Sequence, residues 1–293
     1  MKKNWFWGIL IVIILSWIGN IVYFEVHQLD EPIVLDAYID IPSSEYTNFS
    51  LFYLTNSSEV VELEALIAGG YTYNNEQNFF PWFGDVSAQS YKQQFTHQFL
   101  KEAYFTFDEQ SLKGLVKGFQ DNDLYARFTN GQVVPIELKK LNVRTSASET
   151  NFLSSKVTFG NTQGVQGNLL EVTESVKMDQ IVLPDSILNH VELKVLLLSD
   201  STEFHKLTNK DWEDIEAPLY NHMKWPLKIQ KGDSVGLFFK IQDSNTYVNM
   251  MNDWSGITES KEIFTYTSPL LIEPHLSNQD VVNIVQKARG EQR

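Results

Sequence analysis

The apolar positions divide the chain into two unequal parts. From Trp5 to Phe24 the sequence is continuously apolar, with only Ser16 and Asn20 clearly polar and no charged residue. Beyond it, short alternating segments are separated by turn residues about every ten positions, which is typical of β-sandwiches. The predicted fold class is therefore mainly β: a single N-terminal transmembrane helix followed by one or two antiparallel β-sandwich-like domains and a short C-terminal helix.

The apolar run is long enough to cross a bilayer. As an α-helix, its twenty residues rise about 30 Å. Twelve of them are Ile, Leu, Val or Phe, which together favour insertion by about 4–7 kcal/mol. Trp5 and Trp7 at one end and Tyr23 at the other fit an aromatic belt, and Lys2 and Lys3 favour a cytoplasmic N-terminus.

These signals predict a single-pass protein of the cell membrane that contacts the lipid bilayer through residues 5–24 and has the bulk of its chain extracytoplasmic. The alternative is a cleaved signal peptide, but the apolar run is too long and no Ala-x-Ala site follows it. Four positions on one side of the helix are small or polar and could contact a second membrane helix, namely Gly8, Ser16, Gly19 and Asn20.

The exported part reads as two β-rich halves. Strands are predicted over 33–41, 49–54, 60–67, 99–107, 112–119, 124–129, 132–138, 168–176, 180–183, 191–198, 234–241 and 262–266. The predicted organisation is a cytoplasmic tail at 1–4, a signal-anchor helix at 5–24, a stalk at 25–32, a first domain at 33–144, a linker at 145–155 and a second domain at 156–293.

Three local signals refine this organisation. The segment 55–58 predicts a hairpin turn between two strands. Asn130-Gly131 predicts a type I′ hairpin, because that turn needs φ > 0 at both central residues. Ser277 and Asp280 predict the start of a helix over 277–288, which we expect to pack on the second domain.

Composition and charge restrict the function classes. The part after Phe24 carries 21 basic and 37 acidic residues, a net charge of −16, which argues against nucleic acid and against an anionic lipid surface as partners. The chain has no cysteine, which excludes disulfides, thiolate metal sites and a cysteine nucleophile. Together with many Lys, Asn and Ile residues, this composition indicates a bacterial cell-envelope protein.

Signatures of catalysis are missing from the sequence. There is no G-x-S-x-G, S-x-x-K, H-E-x-x-H, P-loop or G-x-G-x-x-G pattern. His190, His205 and His222 form the densest group of metal-ligand residue types, but a zinc site needs ligands that converge in space. We therefore expect no catalytic residue, no metal and no cofactor, and the sequence favours a non-enzymatic protein.

Tryptophans in predicted loops are the best lead to a ligand. Aromatic rings beside Asp and Asn can stack on a sugar face while the polar groups bind hydroxyls. The alternative is that these rings fill the ends of a sandwich core. The four tryptophans are Trp82, Trp212, Trp225 and Trp254.

Three functional hypotheses follow. The first is a membrane-anchored, non-enzymatic binding or interaction module that contacts an envelope protein. The second is a cell-surface polysaccharide-binding or polysaccharide-processing protein that uses the loop tryptophans. The third is an accessory subunit of a membrane complex, paired through the small residues of the helix.

Overall fold

The computed structural model describes residues 2–44, 47–75, 91–144, 152–161, 164–188, 190–199 and 201–291. Its fold is mainly β, with an apolar N-terminal helix and a short C-terminal helix, as predicted. The helices are α1 (Lys2–Val26), α2 (Glu109–Gln120), α3 (Thr202–His205) and α4 (Asn278–Glu291). Two 3₁₀ turns lie at Trp212–Asp214 and Tyr220–His222.

Every predicted strand except 112–119 overlaps an observed strand, whereas the strand over 246–258 was not predicted and the strand over 153–160 begins within the predicted linker. The observed strands are β1 (Ile33–Val34), β2 (Asp36–Pro42), β3 (Thr47–Asn56), β4 (Leu63–Ala68), β5 (Tyr71–Asn74), β6 (Gln93–Gln94), β7 (Gln98–Phe107), β8 (Leu124–Phe128), β9 (Val133–Pro135), β10 (Lys140–Arg144), β11 (Leu153–Gly160), β12 (Val165–Val172), β13 (Val176–Val182), β14 (Val191–Leu198), β15 (Leu227–Ile229), β16 (Ser234–Ile241), β17 (Thr246–Thr258) and β18 (Ile263–Ile272).

These strands form four sheets. Sheet A has the order β1-β3-β7-β6, and sheet C has the order β5-β4-β8-β9. Sheet B has the order β10-β2-β17-β13-β15, with β18 also paired to β17, and sheet D has the order β11-β12-β16-β14. Most pairs are antiparallel, while β10 with β2 and β2 with β17 are parallel.

Sheet B joins the two predicted halves of the chain. β18 pairs along one edge of β17, and the other edge pairs first with β2 and then with β13. Arg144 strengthens this junction, because its guanidinium donates to both carboxylate oxygens of Asp40 and to Asp253. The domain boundary at 145–155 stays a prediction, but hydrogen-bonded strands from both sides of it share one sheet.

The segment predicted as a strand over 112–119 is a helix. Asp108 caps α2 by accepting a hydrogen bond from the Ser111 backbone N–H at 2.7 Å. Leu112, Leu115 and Phe119 recur at helical spacing, and the first two are buried. The strand prediction was wrong because such a short apolar segment fits both the two-residue period of a strand and the 3.6-residue period of a helix. The capping carboxylate of Asp108 favours the helix.

One predicted hairpin is absent, and the other is present with a different turn type. The two strands around 55–58 belong to different sheets, since β3 pairs with β1 and β7 while β4 pairs with β5 and β8. Asn130-Gly131 does connect β8 to β9, and the turn closes with Gly131 N–H bonded to the Phe128 carbonyl. Of the two, only Gly131 has a positive φ, so the turn is not type I′.

Three apolar clusters hold the body together. One lies between sheets B and D and contains Trp254, which gives the predicted sandwich core. A smaller cluster on the outer face of sheet D contains Phe204 and Phe238. The largest cluster lies in the first half, and Val281 and Val285 of α4 belong to it. The helix was predicted to pack on the second domain, but these two residues pack on the first half.

Candidate functional site

Helix α1 is apolar and exposed along its length. Residues Trp5–Val26 have a mean hydropathy of 2.2, and none of the most apolar window is buried against the body. A soluble protein would lose stability by exposing so much apolar surface to water. Among the described residues, this is the one helix long and apolar enough to span a membrane.

The end of α1 is held by the folded body. Asn56 accepts a hydrogen bond from the Leu29 backbone N–H at 2.7 Å and donates to the Leu29 carbonyl at 2.9 Å, and both groups are buried. Arg289 of α4 donates to the carbonyls of Glu25 and Gln28 at 2.6 and 2.7 Å. We call Asn56 and Arg289, with the backbone they hold, the helix clamp.

The clamp changes the interpretation of residues 25–32. α1 continues to Val26, and Gln28 and Leu29 are buried within the body. Gln98 also donates to the His27 carbonyl. The segment predicted as a stalk is therefore packed against the body, which fixes the direction in which α1 leaves it.

Aromatic rings pack beside the clamp. The His27 and His97 rings lie 5.3 Å apart, and Tyr23 lies 4.2 Å from His27. Burial, together with the neighbouring His27, lowers the pKa of His97. This favours a neutral His97 ring, which suits its position against Phe24 at 5.9 Å.

A cleft with a volume of about 680 Å³ lies where the two halves meet. Sheet D contributes the end of β11, including Phe159 and Gly160. The other wall comes from Gln93 of β6 and from the end of β18, where Leu271 and His275 lie. The cleft is within the size range of small-molecule binding sites.

Side-chain amides fix the floor of this cleft. With the Gln166 amide oriented to satisfy its neighbours, its oxygen accepts a hydrogen bond from the Glu273 backbone N–H at 2.7 Å and its nitrogen donates to the Leu271 carbonyl. Asn168 donates to the Pro269 carbonyl at 2.8 Å. These amides satisfy the free edge of β18, so the cleft has a defined shape.

The charges in the cleft are paired with each other. Lys92 Nζ lies 2.8 Å from Glu102 Oε2 and 3.7 Å from Glu273 Oε2. Burial lowers the pKa of Lys92, but its hydrogen bonds and charge interactions with the two glutamates raise it overall. Two nearby carboxylates are what a glycosidase needs, yet here the ammonium occupies the space between them.

Two of the four tryptophans predicted to bind a ligand are buried, and the ligand site itself stays a prediction. Trp254 is fully buried in β17 and donates to Ser268 Oγ at 3.0 Å. Trp212 is buried, with Lys194 Nζ 4.6 Å from its ring. Trp225 is half-buried and packs on Tyr220 at 5.5 Å, and Trp82 lies outside the described residues.

The small and polar residues predicted to contact a second membrane helix are exposed on α1. Gly8, Ser16, Gly19 and Asn20 are exposed, and a Cβ built on either glycine would meet no atom within 4 Å. Their pairing with a second helix stays a prediction. Within the described part of the chain, no group of three His, Asp or Glu residues lies close enough to hold a metal.

Sequence reasoning did not find the cleft, although one signal was available. Asn168 is the first residue of the strand predicted over 168–176; it lies in the middle of the observed β12 and is almost fully buried. A polar residue at such a position needs a hydrogen-bond partner, which indicates a special contact. Phe159 gave no comparable signal, because it lies outside the predicted strands.

The clamp and the cleft are the two sites that the fold creates from distant parts of the chain. The clamp joins the segment after α1 to β3 and α4, and the cleft joins β6, β11, β12 and the end of β18. No protein-family model and no curated protein matches this chain.

Proposed function

We propose that this protein is a membrane-anchored, non-enzymatic interaction module of the bacterial cell envelope. In this proposal α1 spans the cell membrane with the N-terminus in the cytoplasm, and the β-rich body stands outside. The observation that carries the proposal is the helix clamp, because Asn56 and Arg289 fix the body to the end of an exposed apolar helix.

A fixed junction between α1 and the body favours a role in binding a partner at a defined orientation. A flexible stalk would let the body sample many orientations, whereas buried hydrogen bonds at Leu29 keep one. A partner in the membrane could then meet α1 and the body in a constant arrangement. The accessory-subunit hypothesis is a special case of this proposal, with the open side at Gly8 and Gly19 as the helix contact.

The topology can be tested because the chain has no cysteine. A single Ser155→Cys variant places a thiol on an exposed position of the body, and Lys3→Cys places one in the first turn of α1, ahead of the apolar run. On intact cells, a membrane-impermeant maleimide should label the first variant, and label the second only after permeabilisation. The reverse pattern would refute the proposed orientation.

The role of the clamp can be tested by cross-linking in membranes. A photoreactive residue at the Ser155 position should give a discrete adduct with a partner, and Arg289→Ala should weaken that adduct because it frees α1. Gln279→Ala is the matched control, since this exposed residue of the same helix does not touch α1. If no discrete adduct forms, or if Arg289→Ala leaves it unchanged, the clamp does not serve partner binding.

A further inference from the structure

We propose that the helix clamp is an acid-sensitive switch, in which protonation of the neighbouring rings of His27 and His97 releases the end of α1 from the body. The inference deepens the proposed function and rests on it, because it names a condition that regulates the same junction. It depends on where the two rings lie, on the charges around them, and on the buried polar atoms of the clamp that have no partner.

The histidine pair, His27 and His97, lies where α1, α4 and the turn between β6 and β7 meet. The ring centroids are 5.3 Å apart, and the rings are inclined by 33°. The His27 carbonyl accepts a hydrogen bond from Gln98, and the His97 carbonyl accepts one from the Ser57 backbone N–H at 2.8 Å. Both residues therefore connect the end of α1 to the body, so displacement of either ring would disturb the junction.

His27 can accept a proton without losing its place on the helix. Its Nδ1 lies 2.7 Å from the Tyr23 carbonyl, and this nitrogen carries the hydrogen because a carbonyl only accepts. Nε2 is then the nitrogen that takes a second proton. Protonation of His27 therefore keeps this bond and creates a positive charge on the ring next to His97.

His97 cannot accept a proton at Nε2 while the clamp is closed. This atom is buried and has no hydrogen-bond partner among the described residues. The ring also lies 5.7 Å from that of Tyr23 and 5.9 Å from that of Phe24. A protonated Nε2 would be a buried, charged donor without an acceptor, which is strongly unfavourable. Protonation of His97 thus requires its ring to move towards water.

No negative charge lies beside the rings to compensate a protonated pair. A cavity of about 140 Å³ adjoins them, and the other described residues that line it, from α1, α4 and the turn before β7, are uncharged. Arg289 of α4 already brings a guanidinium to the junction, while Lys287 is exposed. The described acidic side chains on the elements around the pair are exposed or bonded elsewhere, namely Glu25, Asp30, Glu31, Glu59 and Asp280.

The closed clamp leaves several of its own buried groups unsatisfied. Gln28 Nε2 and Arg289 Nε, like His97 Nε2, are buried without a hydrogen-bond partner in the described part of the chain. Each such group costs free energy in the closed state and gains hydrogen bonds to water when the junction opens. The balance between closed and open states can therefore be shifted by a change in charge at the histidine pair.

Acid, and not base, should open the clamp. Burial first, and then the neighbouring His27, lower the pKa of His97 below its ordinary value of 6.5 in the closed state. The contribution of His97 to the closed state is therefore fully present above a pH of about 6.5 and is lost as pH falls below it. Carboxylates take up protons mainly below a pH of about 5, so the two kinds of group titrate in different ranges.

The test is a distance measurement on the full-length chain in detergent micelles. Because the chain has no cysteine, Glu25→Cys and Asn283→Cys place two spin labels at exposed positions, one on α1 and one on α4. Pulsed electron spin resonance should give one narrow distance distribution at about pH 7.5 and a broad one at about pH 5. His97→Phe should keep the narrow distribution at both values, since its ring takes no proton.

His27→Gln removes the neighbouring charge, so it should shift the opening to lower pH. His205→Gln is the matched control, because this exposed histidine lies in α3, and it should open as the parent does. The inference is overturned if the parent stays narrow at pH 5, if His97→Phe opens like the parent, or if His27→Gln leaves the midpoint unchanged. A parent distribution that is already broad at pH 7.5 would instead refute the clamp itself, and with it the observation that carries the proposed function.

Discussion

Lys101 is a fully buried ammonium that pairs with the carboxylate of Glu62. We expect removal of Lys101 and removal of Glu62 to have different costs in folding stability. Lys101 Nζ lies 2.6 Å from Glu62 Oε1 and 3.0 Å from the Val61 carbonyl. Glu62 also accepts a hydrogen bond from the Tyr53 hydroxyl at 2.8 Å, and burial with this carboxylate raises the pKa of Tyr53 well above its ordinary value. Lys101 is almost completely shielded from solvent, whereas the Glu62 side chain is 32% exposed.

The two partners should therefore differ in the cost of their removal. Glu62→Ala leaves a buried charge without its counter-ion, which costs about 3–5 kcal/mol. Lys101→Met removes the charge and keeps most of the volume, while Glu62 can be hydrated where it reaches solvent. Its main cost is the Val61 carbonyl left without a donor, about 1–2 kcal/mol.

Urea unfolding of the full chain in micelles, followed by tryptophan fluorescence, measures both effects. The double variant Glu62→Ala/Lys101→Met should be more stable than Glu62→Ala alone, because the second change removes the uncompensated charge. The reasoning fails if Lys101→Met costs as much as Glu62→Ala, or if the double variant is less stable than the Glu62→Ala variant.

Other residues give predictions that the same unfolding assay can check. Asp40→Ala should cost about 3 kcal/mol, since it removes the buried acceptor of Arg144, and an unchanged midpoint would contradict the role of this pair in sheet B. Gly118→Ala should destabilise by about 1–2 kcal/mol despite its better helix propensity, because the new Cβ would lie 2.7 Å from a side chain of β4; a gain in stability would show that α2 can shift. Burial raises the pKa of Asp280, but hydrogen bonds from Ser277 lower it below its ordinary value of 3.8 overall. Its contribution to stability is therefore present at neutral pH and lost as pH falls from about 5 towards 2, so the difference between wild type and Asp280→Asn should shrink over that range, and a constant difference would refute the assignment.

The sequence predicted several strands that have one buried face, but it missed β17, whose burial also alternates. In β7, inward residues such as Ala103 and Phe105 alternate with partly exposed ones, and this period is readable without a structure. The same reasoning failed for α2, because Leu112 to Phe119 is a short apolar segment that fits either period. The residue that decides for a helix is the cap Asp108, which lies outside the segment predicted as a strand.

Strand pairing and the cleft could not be predicted in this way. β2 pairs with β17 although most of the chain separates them, and hydrophobic period carries no information on partners. The cleft combines Gln93, Phe159 and His275 from three distant segments. The four tryptophans were predicted as ligand residues from their residue type and polar neighbours, and two of them, Trp212 and Trp254, belong to the apolar core.

The connection between the two halves has a consequence for how the cleft works. Tyr247 of β17 inserts into the cluster of the first half, where its ring lies 5.0 Å from Phe52, and Arg144 binds Asp253 of the same strand. A hinge between the halves would have to break these contacts and the parallel pairing of β2 with β17. The walls of the cleft are therefore fixed relative to each other. A ligand that enters cannot rely on closure of the halves, so selection depends on the fit of the existing lining.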